Sequence, residues 1–115
     1  MAGALKQKGD TSKRLFPLEG FLGHIREQRQ LYGALVESGK VYDFRALGLG
    51  LFARSIEERL RAAGAKVDAS SGAAYSHALA GGIFSLLEWW IDKGMKADPA
   101  EVDRLFHRLA WKGLS

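Results

Sequence analysis

The sequence predicts an all-α domain of about four to five antiparallel helices, and three observations carry that expectation. Apolar residues recur at i, i+3, i+4 and i+7 in successive segments. Both prolines, Pro17 and Pro99, stand where a helix begins, and Gly39, Gly64 and Gly94 stand where one ends. No run alternates convincingly enough to be a strand. Leu47-Gly48-Leu49-Gly50-Leu51 comes nearest, but it continues into the helix formers Glu57-Glu58-Arg59-Leu60-Arg61 with no turn signal between.

The first helix runs from Pro17 to Ser38-Gly39, with Leu18, Phe21, Leu22, Ile25, Tyr32, Leu35 and Val36 on its apolar stripe. Gly20, Gly23 and Gly33 each weaken it by about 1 kcal/mol relative to alanine, so a bend or break is expected near Gly23. A second helix spans Tyr42 to Ala63, burying Phe44, Leu47, Leu51, Phe52, Ile56 and Leu60. Residues 64–73, rich in Ala, Ser and Gly, read as a loop.

The third helix, from about Ala73 to Lys93, is the least ordinary. Leu79, Ile83, Leu86 and Trp90 form one stripe and Ala80, Phe84, Leu87 and Ile91 another, so one covering surface cannot satisfy it. One partner is the core of the same chain; the other is expected to be a second copy. The fourth helix starts at Asp98 as cap, Pro99 in the first turn and Glu101 three residues past the cap. Val102, Leu105, Phe106 and Leu109 then form its stripe.

The 115 residues are one domain's worth, 47% hydrophobic and 26% charged, as in an ordinary globular chain. Cysteine is absent, which excludes disulfides, thiolate metal sites and a cysteine nucleophile. The net charge of +4 is uneven. Residues 1–14 hold Lys6, Lys8, Lys13 and Arg14 against Asp10, a balance of +3, and the 13 basic and 12 acidic residues left in 15–115 give only +1. The organisation expected is therefore a flexible basic tail, 1–14, followed by a near-neutral domain, 15–115, without the clustered basic face of a nucleic-acid binder. No apolar run reaches the roughly 20 residues that span a bilayer, and the N-terminus lacks a signal-peptide core, so the expected compartment is the cytoplasm.

Candidate chemistry is sparse. His24 and His77 have no second ligand at metal spacing, and His107, between Phe106 and Arg108, reads as a surface residue. Ser85 lacks a nucleophile-elbow context, and Glu57, Glu58 and Glu88 lack partner carboxylates, so neither an enzyme nor a metal or cofactor is expected. The run Arg54 to Arg61 is a wet helix face with i, i+4 pairs. Phe21, Ile25, Tyr32, Phe52, Tyr75 and Trp89 are candidates to line a ligand pocket; the alternative is that they fill the core.

Phe21 to Leu35 with His24-Ile25 and Leu31-Tyr32, then Leu79-Ala80-Gly81-Gly82-Ile83, Trp89-Trp90-Ile91 and Gly94, and finally Pro99-Ala100-Glu101 before Phe106, are together similar to the C-terminal regulatory domain of TetR-type transcriptional regulators. The resemblance covers most of residues 15–111. It implies an effector-sensing domain with a pocket for a small apolar molecule, which homodimerises through its last two helices, here 73–93 and 98–111, as an intermolecular four-helix bundle. Gly81 and Gly82 would let helices approach, and Ile83, Leu86, Trp90, Leu105, Phe106 and Leu109 would supply interface area. The sequence departs from the family at its start. The residues before Pro17 are too few and too polar to build the DNA-reading helix-turn-helix, so this chain is expected to bind no operator itself, as a fragment of a longer regulator or a protein without the reader. The alternative from a different class is a small helical interaction or scaffold module without a ligand, with a ligand carrier behind it.

Overall fold

A computed structural model describes residues 14–65 and 68–112. Among them the chain forms five helices: α1 (Leu18–Glu27), α2 (Arg29–Glu37), α3 (Val41–Ala62), α4 (Ala69–Asp92) and α5 (Pro99–Lys112). The expected basic tail lies, up to Lys13, outside the described residues.

Caps fix several of the boundaries. At the ends of α3 and α4 the chain turns through Gly64 and Gly94, at φ 78° and 81°, where a side chain would strain the backbone. Each turn closes with the paired bonds of a Schellman motif. Ala65 N–H donates to Leu60 O and Gly64 N–H to Arg61 O, both at 3.0 Å; Met95 N–H donates to Trp90 O at 2.8 Å and Gly94 N–H to Ile91 O at 3.0 Å. At the head of α5, Ala100 N–H donates to the Asp98 carboxylate at 3.1 Å.

Two boundaries differ from expectation. The break in the first helix falls at Gln28, not near Gly23. The buried stripe decides this: Leu18, Leu22 and Ile25 are fully buried, whereas α2 buries no residue, so packing holds the helix straight through its glycines and releases it afterwards. Helix α4, the third helix expected from the sequence, begins at Ala69, inside the stretch 64–73 that reads as a loop. Asp68 accepts a hydrogen bond from Ser71 N–H at 2.7 Å, and this N-cap recruits Ala, Ser and Gly residues into the helix.

The longest packing interface is an antiparallel α3–α4 hairpin, in which Arg45 lies beside Glu88 and Gly48 against Phe84. Against it α1 and α5 form a second antiparallel pair. The core between the pairs takes Leu18, Leu22 and Ile25 from α1, Ile56 and Leu60 from α3, Ile83, Phe84, Leu87 and Trp90 from α4, and Val102, Phe106 and Ala110 from α5. Leu15 and Phe16, just before α1, close one end. Within one chain, therefore, α4 has α3 as its main partner and touches α5 only lightly.

Candidate functional site

The feature with most capacity for a function is the face shared by the second half of α4 and the outer side of α5. Leu86, Trp89, Val102 and Leu105 form the apolar walls of an open groove of about 470 Å³, rimmed by Glu101, Arg104 and Arg108. Leu109, one turn beyond Leu105, is 60% exposed, and Trp89 is 47% exposed. The groove exists because α5 is rotated relative to its sequence stripe. Its buried residues are Val102, Asp103, Phe106 and Ala110, which leaves Leu105 and Leu109 facing outward.

The candidate interface residues divide accordingly. Leu86, Leu105 and Leu109 are available at the surface, and Gly82 is half-buried with open space where a Cβ would stand. Ile83, Trp90 and Phe106 lie in the core of the single chain and have almost no surface left to give to a partner. Trp90 is held from inside: its indole N–H donates to Ala97 O at 2.8 Å, and the Arg26 guanidinium lies 5.3 Å from its ring centroid. Arg26 also donates to Met95 O at 2.9 Å and Ala97 O at 3.3 Å, fastening the α4–α5 turn to α1.

The candidate pocket residues do not converge. Phe21 and Phe52 join Phe16 and Phe84 in an aromatic chain, with Phe52 stacked on Phe84 at 5.1 Å and Phe21 edge-on to Phe52 at 5.4 Å. Ile25 is fully buried. Tyr32 lies apart, edge-on to His24 and Phe44. Tyr75 donates its hydroxyl to Ala110 O, and burial pushes its pKa up. Trp89 faces the groove. Among the described residues no cluster of three His, Cys, Asp or Glu could hold a metal ion, and no helix is long and apolar enough to cross a membrane.

The most organised polar constellation was not evident as such in the sequence. His107, read as a surface residue, has a side chain only 12% exposed, and the Asp103 side chain is only 3% exposed. Asp103 Oδ2 accepts from Arg14 Nη1 at 2.8 Å and Glu19 N–H at 2.7 Å; Asp103 Oδ1 lies 2.8 Å from His107 Nδ1. On the other side of the ring, His107 Nε2 accepts from Leu15 N–H at 2.9 Å. Burial opposes ionisation of Asp103. The hydrogen bonds from His107 and Glu19 N–H, with the charges of Arg14 and of a protonated His107, outweigh it and hold the pKa below its usual value. The available signal was the i, i+4 placement of Asp103 and His107 beside Val102 and Phe106, which puts them on the buried side of α5 if its stripe is turned by one position.

No family model matches the chain, and neither the curated proteins nor the solved structures compared with it contain a match.

Proposed function

We propose that this chain is a homodimerising, effector-sensing domain of the TetR type, pairing with a second copy through the open face of α4 and α5. The observation that carries the reading is the exposure of Leu105 and Leu109 beside Leu86 and Trp89. Leu86, Trp89 and Leu105 line one apolar groove and Leu109 stands exposed one turn beyond it, whereas scattered single apolar residues are normal on a surface. Burying a half-exposed leucine contributes about 1 kcal/mol, and a two-fold interface counts each contribution twice. The groove also offers the concavity in which a small apolar effector would contact both copies. Such an effector regulates only by binding one dimer geometry more tightly than another.

The test is the solution mass by light scattering of wild-type chain beside a Leu105→Glu, Leu109→Glu double variant. The reading expects a dimer that the variant splits into folded monomers of unchanged helicity. A wild-type monomer at high micromolar concentration defeats it. That result leaves the second reading, a helical interaction module whose groove, with Arg104 and Arg108 on its rim, receives a segment of another protein.

A further inference from the structure

We infer that His107 is a proton-sensitive latch that holds residues 14–17, the strap leading into α1, on α5. The inference is independent of the dimer reading. It rests on the hydrogen-bond roles that the two ring nitrogens are given by their surroundings.

Nε2 faces the N–H groups of Leu15 at 2.9 Å and Phe16 at 3.4 Å, both donors, so it must present a lone pair. Nδ1 faces acceptors, Asp103 Oδ1 at 2.8 Å and Asp103 O at 3.0 Å, so it carries the hydrogen. Only the neutral imidazole with its hydrogen on Nδ1 satisfies both sides. A further proton has one place to go, Nε2, where it turns the acceptor into a donor pointing at a donor. The bond to Leu15 is then lost, while the imidazolium stays against the Asp103 carboxylate.

The other charged groups around the ring define which side yields. From the strap, Arg14 places its guanidinium on Asp103 Oδ2; from α1, Glu19 contributes its N–H to that oxygen while its carboxylate lies at the exposed first turn. From α3, Arg59 Nη1 donates to Arg14 O at 3.4 Å. On α5, Arg104 and Arg108 flank the ring in sequence and are exposed. The new positive charge thus faces one carboxylate already shared with Arg14, and the strap carries that competing cation. Protonation therefore loosens the strap and keeps the Asp103–His107 pair. Leu15 and Phe16, 0% and 6% exposed, are the apolar residues that the opening uncovers.

The experiment is amide hydrogen exchange by NMR on the full chain at about pH 8 and pH 5, on either side of the range where histidine changes charge. Protection factors corrected for intrinsic exchange are read at Leu15 and Phe16, with Ile83 in the core as reference. The latch expects the Leu15 and Phe16 protection to fall about tenfold or more at the lower pH while Ile83 holds. A His107→Gln variant, whose side-chain carbonyl can take the place of Nε2 without titrating, should keep Leu15 protected at both values. Equal loss at Ile83, unchanged protection at Leu15, or the same pH dependence in His107→Gln each overturns the inference.

Discussion

Asp103 is the one charged residue buried in the core face of α5, and its neighbours Val102, Phe106 and Ala110 offer its carboxylate nothing polar. Its stability contribution comes from the three donors that converge on it. Replacing it by alanine leaves Glu19 N–H without its acceptor and the His107 Nδ1 hydrogen with only the residue-103 carbonyl, and we expect a loss of about 2 kcal/mol at neutral pH in urea unfolding. Arg14→Ala should cost less, under about 1 kcal/mol, because the guanidinium is 35% exposed and screened. The pH dependence follows from the sign of the shift. With its folded-state pKa held below that of an ordinary aspartate, Asp103 stabilises the fold above the carboxylate range and loses that contribution as pH falls through it. An Asp103→Asn variant should flatten the acid limb of the urea midpoint against pH; an unchanged limb would assign it to other carboxylates. Single residues of this kind are the hardest to read from sequence. The Asp103–His107 spacing is visible, but its burial depends on the rotation of α5, and the Leu105 and Leu109 positions pulled the expected stripe to the wrong side.

Helices were far more legible than side-chain roles, since periodicity and terminal glycines are local properties. The ends at Gly64 and Gly94 and the start at Pro99 follow from chain chemistry alone. The Gln28 break and the early start at Ala69 depended on which stripe another helix covers and on one capping carboxylate. The Leu-Gly-Leu-Gly-Leu stretch of α3 shows the same division within five residues. A Cβ on Gly48 would stand 2.7 Å from Phe84 Cζ, and that ring is fixed by stacking on Phe52 and by the Arg45 guanidinium 5.7 Å from its centroid. A Cβ on Gly50 meets nothing within 4 Å. Gly48→Ala should therefore destabilise by about 1–3 kcal/mol through overpacking, despite its better helix propensity. Gly50→Ala should stabilise by about 0.5–1 kcal/mol. Paired thermal melts check both, and equal shifts in the two variants would show that Phe84 moves aside freely. Sequence alone gives the two glycines the same role; only the register of the α3–α4 hairpin separates them.

As a whole the described chain is a slab, 42 × 38 × 20 Å, with a radius of gyration of 14.9 Å against about 13 Å for a compact domain of this length. Twenty ångströms is two layers of helices, and two layers do not cover all the apolar residues that α3, α4 and α5 carry. The α4–α5 face differs from a merely uncovered one in its charges. Arg104 and Arg108 of α5 line the groove with Glu101, and Glu88 and Asp92 stand exposed on α4 outside that lining, Glu88 on the side of α3. Glu88 has only a 3.8 Å exposed contact with Arg45. A two-fold axis of the proposed dimer through this face would bring Glu88 and Asp92 of one copy towards Arg104 and Arg108 of the other, the self-complementarity an isologous interface needs. Under the proposed dimer, Arg104→Glu with Arg108→Glu should weaken self-association about tenfold at low salt, less at high salt, by sedimentation equilibrium. Adding Glu88→Arg and Asp92→Arg to the same chain restores opposite charge across the axis and should recover most of that affinity. Recovery distinguishes pairing between copies from a general charge effect, because the fourfold variant has the net charge of the wild type while each of its helices carries reversed charge. A double variant that dimerises as wild type does, or a fourfold variant no stronger than the double, would remove α4–α5 charge pairing from the interface and leave the leucines to hold it alone.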